Sequence, residues 1–468
     1  MVVKGSAFVA TDPESTDLRT YVDADEVLAQ GRRLREQLPQ SAHDHRTAAG
    51  NRPGVLEYIE SSNIGRLPEL APLRIGRMTA SPYAFFRGGA GLMAADLADT
   101  PNSGLVAQLC GDAHAANFGL YGTPDGQIVM DINDFDETIP GPWEWDLKRL
   151  SASLVLAGRE GNVSEAGCRE AARDAVKSYR RTVHRLAEAP FLRSWSALPD
   201  ASILDRVKAD ALLEAFNDAS KKARRNTSEK VVAKWTEHLE DHTTGIRRHR
   251  FVTDPPILTH VDAATADSVI TGLSTYVDTL RESRRNLITR FAVSDIAFRI
   301  VGTGSVGLRS YVALLHGNRS EDLVLQVKQA ARSALAPFVS AATPRHEGKR
   351  IVRGARMVQS ETDILLGWTT IDGLPYIVRQ FRNLKGDIDP TSLKRTLLDD
   401  YGRLAGALLA RAHSRSLDPR LLSGYFGEGS ALDKDIASFA VRYADQTEDD
   451  HAVLVAAVTA GTIEAQIE

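Results

Sequence analysis

The stretch Val301-Gly302-Thr303-Gly304-Ser305-Val306-Gly307-Leu308-Arg309-Ser310-Tyr311, followed by Leu325-Gln326-Val327-Lys328, decides how the chain is read. Phe298–Gly302, Ser310–His316 and Leu323–Lys328 cluster β-branched and apolar residues between turn signals, the pattern of three short strands. The glycine run therefore lies between two strands. A dinucleotide fingerprint needs it between a strand and a helix, so that reading is disfavoured. Gly302, Gly304 and Gly307, with Ser305, let backbone N–H groups approach phosphates at a hairpin tip. Lys328 ends the third strand and reaches the same phosphates as a point charge. The competing reading is a mobile hairpin with an exposed lysine.

Downstream, a helix is expected from Thr343-Pro344 to about Gln359. Two strands follow, Ile364–Thr369 and Pro375–Phe381, around the turn Ile371-Asp372-Gly373-Leu374. An amphipathic helix runs from Leu393 to His413. Upstream, Trp143 to about Asn286 reads as helical, with periodic apolar runs over Ile203–Phe216 and Ala264–Leu280. Leu105–Leu109 and Gln127–Ile132 read as two strands that could pair as a hairpin. Ser81-Pro82 is an N-cap and first-turn proline for a helix carrying Phe85, Phe86, Leu92, Met93 and Leu97. A further helix is expected near Ala24–Leu38.

Two more segments carry chemistry. In Gly111-Asp112-Ala113-His114-Ala115-Ala116-Asn117, an aspartate and an asparagine follow a buried strand on a tight loop. Asp112 can accept a hydroxyl proton and the Asn117 oxygen can bind a hard cation. Turn capping by both, with His114 packed in the core, is the alternative. Met130-Asp131-Ile132-Asn133-Asp134-Phe135-Asp136-Glu137 crowds four carboxylates, which repel unless cations or arginines compensate. Asp131, Asp134 and Asp136 are rival Mg²⁺ ligands; salt bridges to arginines are the alternative.

The chain has 468 residues, 43% of them hydrophobic, and a net charge of −4, which excludes a global basic field for nucleic acid or anionic membrane. Two cysteines, Cys110 and Cys168, cannot build a disulfide framework or a cysteine-rich zinc site, and fit a cytoplasmic location. The opening residues carry no apolar signal core, and no later stretch reads as a membrane span.

The glycine hairpin, Lys328, the following helix, two strands and a helix together resemble a kinase nucleotide-binding lobe. Leu404–His413 is similar to the helix before the catalytic loop of aminoglycoside phosphotransferases. Gly111-Asp112-x-His114-x-x-Asn117 resembles that family's catalytic loop, where the Asp is the base and the Asn holds metal. Asn133-Asp134, then Gly141, then Asp146-Leu147 resembles its metal-binding segment. The resemblance implies that Asp146 braces the catalytic loop and that a helix glutamate, here Glu347, pairs with Lys328. Because the catalytic-loop pattern precedes the glycine hairpin, it also implies circular permutation.

Over roughly residues 45 to 460 the sequence further resembles a bacterial family catalogued as domain of unknown function 2252. The marks are Phe85-Phe86-Arg87-Gly88, Gly111 to Gly119, Asp131 to Glu137, Trp143 to Arg149, Val301 to Gly307, Val378-Arg379-Gln380 and Tyr443 to Gln446. Members usually carry Glu after the strand lysine; here it is Gln329.

The expected fold is α+β: a circularly permuted, two-lobed, protein-kinase-like structure with a helix-rich C-lobe and a five-stranded N-lobe sheet. Five segments are expected. They are a helical extension (1–100), a catalytic-loop and metal segment (101–160), a helical region (161–290), a nucleotide-binding lobe (291–385) and a helical remainder (386–468). The expected activity is ATP- and Mg²⁺-dependent transfer to a small hydroxyl acceptor. Arg87 would pair the acidic run or bind an anionic substrate. A metal-dependent phosphohydrolase would instead recruit histidines such as His260, His316, His346 and His413. A nucleotide-binding pseudokinase scaffold would bind without turnover.

Overall fold

Hydrophobic periodicity places a large helical body beside an antiparallel sheet in the computed structural model, which describes residues 23–44, 52–240, 247–300, 304–318 and 321–467. Gly302 lies outside the described residues. The fold class is α+β. The strands are β1 (Val106–Leu109), β2 (Phe118–Gly122), β3 (Ile128–Ile132), β4 (Ile139–Pro142), β5 (Thr236–Glu240), β6 (Arg247–Phe251), β7 (Leu258–His260), β8 (Ala292–Arg299), β9 (Ser310–His316), β10 (Asp322–Gln329), β11 (Gly367–Ile371) and β12 (Leu374–Gln380).

The main sheet has six strands in the order β11-β12-β10-β9-β8-β7, one more than expected. The addition is β7, three residues long and paired to β8, too short for its alternation to register in sequence. The β11–β12 hairpin closes through Asp372 and Gly373, both at positive φ, as an Asp-Gly turn requires. The outer sheet face buries Leu325, Val327, Tyr311 and Val378 against the helix Ala263–Tyr276. On the other face, Lys328 pairs in register with Ser310, and Gln326 with Val312. Further along that face, Leu314 and Val324 are covered by Val231 and Val232 of the helix Ser228–Trp235.

The pairing expected between the two early strands does not form. β1 pairs with β4, and β3 pairs with β2. β4 carries Pro140 and Pro142, which cannot donate ladder hydrogen bonds and hide the strand from pattern reading. The helix begun at Ser81-Pro82 is correctly capped, the Ser81 hydroxyl accepting from the Ala84 N–H. It breaks at Gly88-Gly89 into Pro82–Gly88 and Ala90–Ala98. The region read as helical from Trp143 also contains the β5–β6 pair.

The helical body packs Trp143–Glu160, Glu165–Glu188, Arg395–His413, Pro419–Phe426 and Ala431–Thr459 around one core. Its centre is Trp143, fully buried and stacked on Tyr179 at 5.8 Å. The chain's early segment is pinned here. His43, fully buried, hydrogen-bonds the Tyr425 hydroxyl at 2.7 Å. Burial, with Lys148 nearby, pushes its pKa from 6.5 down to about 3. The unfolded chain therefore takes up a proton near pH 6.5 that the folded chain refuses. This stability is full above pH 6.5 and is lost as pH falls toward 3. Urea unfolding should show a loss of about 1.5 kcal/mol between pH 6.5 and 5 that His43→Leu lacks.

Candidate active site

The loop after β1 is built by backbone geometry. Gly111 sits at φ +84°, and a Cβ there would lie 2.2 Å from the Glu137 carbonyl oxygen, so only glycine fits. The Asp146 carboxylate, fully buried in the first turn of the helix Trp143–Glu160, accepts from the N–H groups of Cys110 (2.8 Å) and Gly111 (3.1 Å). His413, hydrogen-bonded to Tyr179, contacts the same carboxylate at 3.3 Å. Asp146 thus braces the loop, as expected. Further on, Ser153 Oγ accepts from the Ala115 N–H and Tyr83 Oη from the Ala116 N–H, while Tyr401 donates to the Ala115 carbonyl.

Asp112 projects from this frame. Arg149 Nε donates to its Oδ1 at 2.5 Å, and Arg149 also donates to the Phe86 carbonyl at 2.9 Å, which fixes the guanidinium. Burial raises the Asp112 pKa above the usual carboxylate value, with Arg149 opposing it. His114 Nε2 stands 3.7 Å from Asp112 Oδ2. Burial drives the His114 pKa well down, so the ring is neutral. Asn117 donates through Nδ2 to the Asp112 carbonyl at 2.7 Å, leaving its side-chain oxygen as an acceptor.

The acidic run divides by position. Asp131 lies within β3, and each of its carboxylate oxygens accepts one backbone hydrogen bond, from the Ile132 and Ser360 N–H groups, both at 2.9 Å. Of the three rival ligands, Asp131 does not line the cavity described below, and these two donors tie it to β3 and to the Ser360 backbone. Asp134 accepts from the Asp136 N–H at 3.2 Å, and burial and Asp136 push its pKa up. Asp136 forms an ion pair with Lys328, whose side chain is buried. Burial opposes Asp136 ionisation, but the ammonium prevails and holds its pKa down. Glu137 accepts from the Ala334 N–H at 2.5 Å, and burial pushes its pKa up to about 7.

Glu347 is not brought to Lys328. It pairs instead with Arg350, one helical turn on, within Glu347–Val358. Arg350 is fully buried and donates to the Thr138 (2.6 Å), Asp136 (2.8 Å) and Ala331 (2.9 Å) carbonyls. It ties this helix to the acidic run and to the segment after β10. Arg350, Arg149 and Glu137 carry much of the local geometry; Arg350 stands in no motif, and Arg149 and Glu137 close motifs that give them no role of their own. For Arg149, the signal was its place one helical turn after Asp146.

One cavity of about 460 Å³ is lined by Asp112, Asn117, Asp134, Asp136, Gly304 and Ser305, together with His114, Glu137 and Arg87. This size suits a small-molecule site. Lys328 reaches it through Asp136. Gly307 instead turns at φ +90° against Arg66, whose guanidinium donates to the Val306 carbonyl at 2.6 Å. The free Asn117 oxygen and the Asp134 carboxylate are hard donors. They are of the type Mg²⁺ takes, one or two carboxylates with phosphate and water oxygens making up the rest; among the described residues no group of three or more His, Cys, Asp or Glu is gathered as a metal site.

A second, smaller cavity, lined also by Asp134 and Asp136, contains Lys385 and Arg379. Burial, with Arg379 nearby, lowers the Lys385 pKa to about 7. Lys385 stands in no motif that marks it in the sequence. No histidine among His260, His316, His346 and His413 lines either cavity.

A model of the family described as "Uncharacterized protein conserved in bacteria (DUF2252)" matches residues 66–457, and the chain belongs to that family. No curated protein and no solved structure matches it. Among the described residues no helix is long and apolar enough to cross a membrane.

Proposed function

We propose that the cavity is the phosphoryl-transfer site of an ATP- and Mg²⁺-dependent phosphotransferase with a circularly permuted, kinase-like arrangement. One observation carries this reading: Asp112 and Asn117, Asp134 and Asp136, and Gly304 and Ser305 line one cavity from three separate parts of the chain. The antiparallel run β8-β9-β10, with Lys328 on its third strand and Glu347–Val358 between β10 and β11, supports the same reading.

Mg²⁺ held by Asn117 and Asp134 would neutralise charge on the transferring phosphates. Arg149 occupies one oxygen of Asp112 and leaves the other to take the acceptor's proton. The acceptor oxygen forms a bond to the γ-phosphorus, the bond from that phosphorus to the β,γ-bridging oxygen breaks, and ADP leaves with the electron pair. Lys328 must exchange Asp136 for phosphate oxygens. A nucleotide-binding scaffold without turnover is the second reading, favoured by the Glu347–Arg350 pair, which leaves Lys328 without its helix glutamate.

The test is thermal unfolding with and without MgATP. At about 100 times its dissociation constant, the ligand adds roughly 2.7 kcal/mol. Wild type should shift by several degrees, and Lys328→Met and Asp134→Ala should not. An unshifted wild type across ATP, GTP, Mg²⁺ and Mn²⁺ would overturn both nucleotide readings.

A further inference from the structure

The same cavity holds positive charge that the transfer step does not use. Arg66, Arg74, Arg87 and Arg332 line it, and none forms an ion pair among the described residues. Arg74 is 1% exposed. Its neutral partners are Ser62 Oγ at 3.0 Å and Asn63 Oδ1 at 2.8 Å, with a long contact to the Gly88 carbonyl at 3.5 Å. Its Nε is buried without any hydrogen bond. Arg87 Nε is likewise buried and unbonded. Arg87 acts electrostatically on Asp112 and His114, which places it beside the proposed base. Arg66 is fastened to two carbonyls, of Ser62 (2.9 Å) and Val306 (2.6 Å).

The carboxylates that share the cavity act on Arg66 and Arg87 only at longer range, and among the described residues none pairs with Arg66, Arg74, Arg87 or Arg332. Asp112 is taken by Arg149 and Asp136 by Lys328. A buried guanidinium without a counter-ion is costly, and unbonded donors inside a protein call for a partner. Arginine's planar fork matches phosphate oxygens. The anchoring by Ser62, Asn63 and Val306 holds the donors in position before any ligand arrives.

We propose that the acceptor is itself anionic: a small hydroxyl compound bearing a phosphomonoester, whose phosphate sits on Arg74 and Arg87 while its hydroxyl faces Asp112. This rests on the phosphotransferase reading, and deepens it by naming the substrate class. The reaction balances as above, with the acceptor's existing phosphate unchanged.

Titration of the full-length protein with inorganic phosphate, at ionic strength held constant with chloride, tests this. MgATP is titrated separately. Wild type should bind phosphate; Arg87→Met and Arg74→Met should each weaken it at least tenfold while MgATP affinity stays within about twofold, since one lost charge-assisted contact is worth a tenfold or larger factor. Arg87 makes no hydrogen bond among the described residues, so its variant keeps the test valid should Arg74→Met fail to fold. Equal phosphate affinity in wild type and Arg87→Met overturns the proposal. So does parallel loss of phosphate and MgATP, which would assign the arginines to the nucleotide. Arginine-dependent phosphate binding without any MgATP binding supports the anion site and overturns the phosphotransferase reading alone.

Discussion

Replacing Asp146 by alanine should lower unfolding stability by about 3–5 kcal/mol, the cost of breaking a buried charged network. The carboxylate is 1% exposed and satisfies two backbone N–H groups at the turn into the Asp112 loop, with His413 beside it. Removing it strands both donors beside the buried core that contains Cys110, Trp143 and Tyr179. Asp146→Asn keeps one acceptor oxygen and should lose markedly less. Urea unfolding of the two variants checks this. Equal, small losses would mean that the loop is set by Gly111 and the Ser153, Tyr83 and Tyr401 contacts alone.

The second large effect concerns chemistry. Asp112→Asn preserves the shape of the side chain and an acceptor for Arg149, but cannot take a proton. Transfer from MgATP to a hydroxyl acceptor should fall by about 10²–10⁴-fold, the usual worth of a positioned general base. MgATP affinity should stay close to wild type, because Asp112 is not among the groups assigned to the nucleotide. ADP release with and without acceptor, together with MgATP titration, separates these effects. A variant that turned over at the wild-type rate would remove Asp112 from the reaction.

Much of this was legible because it is local. β9 is found where its alternation put it, and Asp372-Gly373 closes the hairpin its composition announces. The loops at Asp112 and Asp134 also reach a common cavity, as their motif types suggested. What was hidden depends on partners remote in sequence. Nothing near Asp136 shows that Lys328 will claim it, nor does anything near Glu347 favour Arg350 over Lys328 except helical proximity. Asp131, Asp134 and Asp136 look equivalent as letters; only the pairing of β3 with β2 turns Asp131 onto the Ser360 N–H. The β1–β4 pair was hidden by its prolines. The arginine wall escaped notice because Arg66 and Arg74 belong to a segment that reads as a plain helical extension.

Where a nucleotide and its metal bind is the most direct test of the phosphotransferase site. A crystal structure with Mg²⁺ and a non-transferable ATP analogue should place the ion about 2.0–2.1 Å from oxygens of Asn117 and Asp134. The phosphates should lie along Gly304 and Ser305, with Lys328 turned from Asp136 onto them. A nucleotide bound outside this cavity, or a metal held by Asp131 instead, would contradict it.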